Sequence, residues 1–92
     1  MRKLKELLKE YSVGLKYFRP DEEDDAAFLY AVRKRLEEKK SELTPDELQQ
    51  LIEADNFARE LLRKHEGSSK EGIFYLELLV KNFAFESTQT TA

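Results

Sequence analysis

The chain predicts an all-α fold: a single small four-helix bundle-like domain with short loops and a disordered C-terminal tail. Three observations carry that prediction. Charged residues make up 38% of the 92 residues and hydrophobic ones 40%, with only three glycines and two prolines to interrupt a helix. An average domain is about 25% charged, so the composition is that of long amphipathic helices. Apolar residues recur at the helical spacing of i, i+3, i+4 and i+7. Stop or start chemistry stands between the periodic runs, at Arg19-Pro20, Thr44-Pro45 and Gly67.

The first run is Leu4, Leu7, Leu8, Tyr11, Leu15 and Phe18, one stripe along a helix spanning about 3–18. Ser12, Val13 and Gly14 form a weak patch inside it, because Gly costs about 1 kcal/mol relative to Ala in a helix. Arg19-Pro20 ends it, since the residue before proline is pushed out of the α region. The second helix is expected over 21–41. Its first turn is DEEDD (Asp21 to Asp25), and Arg33, Lys34, Arg35, Lys39 and Lys40 follow toward its far end, complementing both poles of the helix dipole. Phe28, Leu29, Val32 and Leu36 read as its buried stripe, with Ala27 and Ala31 allowing a close neighbour.

Thr44, Pro45 and Glu47 give a capping box with proline at the first helical position, the sharpest local signal in the chain. The third helix runs over 45–66 with Leu48, Leu51, Ile52, Ala54, Phe57, Ala58, Leu61 and Leu62 inward. Arg63, Lys64 and His65 occupy its last turn and Gly67 follows as a residue able to take positive φ. Ser68 and Glu71 offer a second S-x-x-E cap, opening a Leu-rich element over 69–85. With few β-branched residues there, a helix is favoured over strands. The domain is thus 1–86, and 87–92 (STQTTA) holds too little apolar surface to offset the entropy of ordering it.

The basic N-terminus is interrupted by Glu6 and Glu10 before any secretory apolar core forms. Ile73 to Phe85 is thirteen residues, short of the ~20 a membrane span needs. With no cysteine there is no disulfide, thiolate metal site or cysteine nucleophile, which fits a reducing, cytoplasmic location.

The net charge of −3 conceals a polarity. Residues 1–19 carry +4, residues 20–66 carry −6 and residues 67–92 carry −1. Arg2, Lys3, Lys5, Lys9, Arg33, Lys34 and Arg35 are the candidate anion contacts. A pI near 5.3 and carboxylates beside most basic residues argue against a nucleic-acid binder, whose pI usually exceeds about 9. Glu6, Glu10, Glu37 and Glu38 lie within i, i+4 reach of those cations and predict salt-bridge lacing.

No motif for chemistry stands out. DEEDD lacks the alternating ligands and central Gly of a calcium loop. His65 reads as a helix-end residue favoured by the C-terminal dipole, not as a base. Gly14, Gly67 and Gly72 are isolated, so there is no phosphate-cradling loop. The expectation is therefore a protein without catalytic residues, metal, cofactor or small-molecule substrate.

The informative element is the last one. Ten of the thirteen residues from Ile73 to Phe85 are apolar or aromatic, and a helix apolar on all sides is expected to be buried on all sides. The reading is a non-catalytic interaction or regulatory module that self-associates as a homodimer, or binds another protein, through Ile73, Phe74, Leu76, Leu78, Leu79, Val80 and Phe83. The alternatives are a small DNA-associated regulator using basic residues of helices one and two, and an acidic decoy or adaptor for a basic partner.

Overall fold

The computed structural model describes residues 3–68 and 70–84. Among them the chain forms α1 (Leu4–Lys16), α2 (Glu23–Glu38), a single 3-10 turn at Lys40–Glu42, α3 (Pro45–Lys64) and α4 (Glu71–Phe83), and no strand. The fold is a small all-α bundle, as the periodicity requires.

Helix order around the bundle follows from the packing. α2 lies along both α1 and α4, and α3 likewise lies along α1 and α4. Neither α1 with α4 nor α2 with α3 shares a substantial contact, so those pairs sit at opposite corners. Each helix sends one stripe inward: Leu7, Leu8, Tyr11 and Leu15; Leu29, Val32 and Leu36; Leu51, Ala54 and Ala58; Ile73, Leu76 and Leu79. Burying these apolar side chains is the main force holding the helices together.

The local signals explain the boundaries. Thr44 Oγ1 accepts the Glu47 N–H at 3.2 Å, and Glu47 Oε1 accepts the Thr44 N–H at 2.9 Å, so the capping box forms as read. α3 ends with His65 at its C-cap, and Gly67 takes φ +87°. α2 is shorter than expected at both ends. Asp21 and Glu22 belong to a turn closed by the Glu22 N–H on the Arg19 carbonyl at 3.0 Å, and Asp21 pairs with Lys70. At the other end the chain tightens after Lys39 into the 3-10 turn, which lets Leu43 pack on the core and leaves Thr44 extended before Pro45.

The second cap forms differently from expectation. Ser68 Oγ accepts the Lys70 N–H at 3.2 Å, and α4 starts at Glu71 with Lys70 as an N-cap whose side chain accepts nothing. The α4 start is fixed instead by tertiary contact: the Gly72 N–H donates to the Pro20 carbonyl at 3.2 Å. A Cβ on Gly72 would lie 2.5 Å from that oxygen, so only glycine permits this approach. The expected Ser69 start, Phe85 end and 87–92 tail lie outside the described residues.

Two stripe assignments are corrected. Phe28 and Phe57 are exposed, not inward. On α2 the inward positions are Ala26, Leu29, Val32, Arg33 and Leu36, with Ala31 exposed, so the stripe is rotated to bring a charged residue inside.

Candidate functional site

The most unusual feature is a polar cluster in the middle of the apolar core. Arg33 and Asp55 are both 0% exposed. Asp55 Oδ1 accepts from Arg33 Nε at 3.0 Å and Oδ2 accepts from Arg33 Nη2 at 3.0 Å, a bidentate pair. The Tyr11 hydroxyl donates to Asp55 Oδ1 at 2.6 Å. Arg33 Nη2 also donates to the Phe83 carbonyl at 2.6 Å, and Nη1 to Glu37 Oε1 at 3.1 Å. The cluster therefore joins α1, α2, α3 and the last turn of α4 at one point. Arg33 and Asp55 come from helices on a diagonal, and a long side chain is what spans it.

The electrostatics agree with a closed network. Burial, together with the neighbouring Asp55 carboxylate, pushes the Tyr11 hydroxyl far above its ordinary range, so it stays a neutral donor. Burial pulls the Arg33 guanidinium down, but Asp55, Tyr11 and Glu37 outweigh it and raise it above its usual value. Burial alone would lift Glu37, yet its hydrogen bond with Lys40 and the charges of Arg33 and Lys40 hold it below the usual carboxylate range. Tyr11, Arg33 and Asp55 present no side-chain surface to solvent, so the cluster builds the fold rather than a reaction site.

Arg33, expected as an anion contact, is thus occupied internally. Lys3, Lys5, Lys9, Lys34 and Arg35 are exposed, and Arg2 lies outside the described residues. The expected salt-bridge lacing forms on α2, where Glu37 bonds Arg33 and Lys40, but among the described residues Lys5, Lys9 and Lys16 of α1 form no ion pair. Glu6 instead accepts the Lys3 N–H at 3.2 Å at the helix start.

The seven residues read as an interface separate by face. Ile73, Leu76 and Leu79 are in the core of this one chain and are not available to a partner. Within one chain the register of α4 turns one face inward, and Phe74 and Leu78 stand on the other. Val80 packs partly on the core, and Phe83 and Leu78 are half-buried. Phe74 is 59% exposed.

Phe74 belongs to a chain of aromatic rings across α2 and α4. Phe74 meets Tyr75 edge-on at 5.9 Å between centroids, Tyr75 meets Tyr30 at 6.5 Å, and Tyr30 meets Phe83 at 5.2 Å. Such edge contacts are the preferred aromatic geometry. Asn82 Nδ2 approaches the Tyr30 hydroxyl at 3.4 Å. Sequence reasoning found Phe74 and Phe83 but missed Tyr30 and Tyr75, whose i-to-i+45 pairing leaves no local periodic signal.

His65 packs its ring on Phe18 at 6.5 Å and borders a cleft of about 550 Å³ with Arg59, Arg63, Ser68 and Glu77. Ser68 Oγ at this cleft accepts the Lys70 N–H at 3.2 Å. Among the described residues no group of three or more His, Cys, Asp and Glu side chains could hold a metal ion. Among the same residues no helix is long and apolar enough to cross a membrane. Neither a protein-family model, nor a curated protein, nor a solved structure matches this chain.

Proposed function

We propose that this protein is a non-catalytic protein–protein interaction module that works as a homodimer through the outer face of α4. The observation that carries the reading is Phe74, 59% exposed at the end of the aromatic run Phe74–Tyr75–Tyr30–Phe83, whose other three rings are half-buried on the α2–α4 side. A small domain gains nothing from leaving Phe74 in water, and surface aromatics set in a polar surround mark association sites.

The face is also self-complementary, as a two-fold interface requires. Phe74 and Leu78 stand one turn apart on the outer side of α4, with Glu71 before them and Lys81 after, both exposed. In an antiparallel pairing about the midpoint of Phe74 and Leu78, Phe74 of one protomer lies on Leu78 of the other. The same register sets Glu71 against Lys81 at both ends. A contact built mainly on a helix about 20 Å long is small, so the affinity is expected in the micromolar range. The absence of cysteine supports a reducing, cytoplasmic setting.

Light scattering tests the reading. At ~100 µM, well above a micromolar dissociation constant, the wild-type mass should approach twice 10.8 kDa. A monomer mass at that concentration would contradict it.

A further inference from the structure

α1 sits at the corner opposite α4, so its outer face is remote from the aromatic run. Between α1 and α3 runs an open groove of about 330 Å³, lined by Val13, Leu15, Lys16, Glu53, Ala54 and Phe57 among others. Leu15 and Ala54 form a buried apolar floor, and Val13 and Phe57 stand as walls, 44% and 45% exposed. Half-exposed apolar walls over an apolar floor have the shape that receives one face of an amphipathic helix.

The rim is charged unevenly. Lys5, Lys9 and Lys16 fall along one edge of α1 at helical spacing, all exposed and, among the described residues, none in an ion pair. On the α3 side Glu53 accepts from Gln49 Nε2 at 3.3 Å. The Lys5 to Lys16 edge extends about 16 Å, three turns of helix.

We propose that this groove docks an amphipathic helical segment of another protein. Its apolar side fills the space between Val13 and Phe57, and its carboxylates lie along the Lys5–Lys9–Lys16 edge. Charge complementarity selects this occupant over a nucleic acid. A polyanion laid on α1 would meet Glu53 of α3, which lines the groove with Lys16, on one side and Asp25 of α2, which lies beside Val13 and Tyr17, on the other, both exposed. A helix confines its carboxylates to the one edge that faces the lysines. The apolar area is also too small, and too closely flanked by acids, to hold an anionic lipid surface.

Fluorescence anisotropy tests this with four labelled probes. These are a helical peptide of about 18 residues of Leu, Ala and Glu with glutamates along one edge, its Glu-to-Lys counterpart, a DNA duplex of similar length and phosphatidylserine vesicles. The acidic peptide should bind the wild-type chain in the micromolar range at ~50 mM salt and at least about five-fold more weakly at ~300 mM. The double variant Lys9→Glu/Lys16→Glu and the single variant Val13→Asp should each lose about ten-fold or more with unchanged thermal melting. Phe74→Glu should bind as wild type. The proposal is overturned if the acidic peptide fails to bind at ~1 mM, if the lysine peptide binds equally well, if duplex or vesicles bind more tightly, or if the double variant keeps wild-type affinity.

Discussion

Arg33 and Asp55 face each other across the α2–α3 diagonal through two parallel hydrogen bonds of 3.0 Å, with no side-chain surface of either reaching solvent. Desolvating both ions is expensive, and their attraction offsets it only while the geometry and remaining hydrogen bonds hold. Replacing Asp55 by Ala strands a buried guanidinium and is expected to cost about 3–5 kcal/mol, a large share of the total stability of a domain this size. Pairing Arg33→Met with Asp55→Leu should cost clearly less than the two single changes combined. Urea unfolding of the four proteins in a double-mutant cycle measures this, and additive losses would show that the pair is not coupled.

Tyr11 ties α1 to the same centre. Tyr11→Phe keeps the ring but removes the donor to Asp55 Oδ1, which still accepts from Arg33 Nε. The expected loss is about 1–3 kcal/mol. Because the folded-state hydroxyl titrates far above the unfolded value, its contribution is intact below pH ~10 and declines as pH rises beyond that. Wild type should therefore lose stability on alkaline titration more steeply than Tyr11→Phe, read by circular dichroism melts between pH ~8 and ~11.

Gly72 carries the junction between α4 and the α1–α2 turn. An added methyl would meet the Pro20 carbonyl oxygen at 2.5 Å, and that oxygen belongs to the backbone, which cannot swing aside as a side chain can. Gly72→Ala should destabilise despite the better helix propensity of Ala, by about 1–3 kcal/mol as an overpacked contact. An unchanged or higher melting temperature would show that the junction yields freely.

The starts of α2 and α4 bring Glu23 and Glu71 together, and the hydrogen bond and like charge of Glu71 raise Glu23 above its usual range. A raised carboxyl favours the folded state at low pH, and that benefit is lost as pH rises through the folded value. Glu23→Gln should raise the melting temperature at pH ~7, with the gain shrinking toward pH ~4. Glu37 has the opposite sign: held low by Lys40 and Arg33, it contributes at neutral pH and loses its contribution as acid protonates it. Glu37→Gln should be less stable than wild type at pH ~7 and converge on it in acid.

Local chemistry made the helices legible in sequence. The Thr44–Glu47 box, Gly67 and the Leu7–Leu15 stripe each declare themselves within a few residues. The misses share a physical cause. Arg33, Asp55 and Tyr11 satisfy one another over 22 to 44 positions, so each looks like an ordinary surface or stripe residue until the bundle brings them together. Phe28 and Phe57 read as core from the apolar stripe, while the inward faces of α2 and α3 are those that carry Arg33 and Asp55 and leave the two rings outside. On α4 the same effect separates Leu79, which is fully buried, from Phe74, which is not. A charge placed at Leu79 would report on folding. A charge placed at the exposed Phe74 is expected to leave the fold intact and so to test the proposed association.

Sedimentation equilibrium on wild type and Phe74→Glu, over roughly 5–200 µM to bracket a micromolar constant, tests dimerisation through the α4 face most directly. The wild-type mass should rise toward twice 10.8 kDa, and the Phe74→Glu protein should stay monomeric with the wild-type melting temperature. A monomeric wild type across that range, or a Phe74→Glu protein that dimerises equally well, would contradict dimerisation through this face.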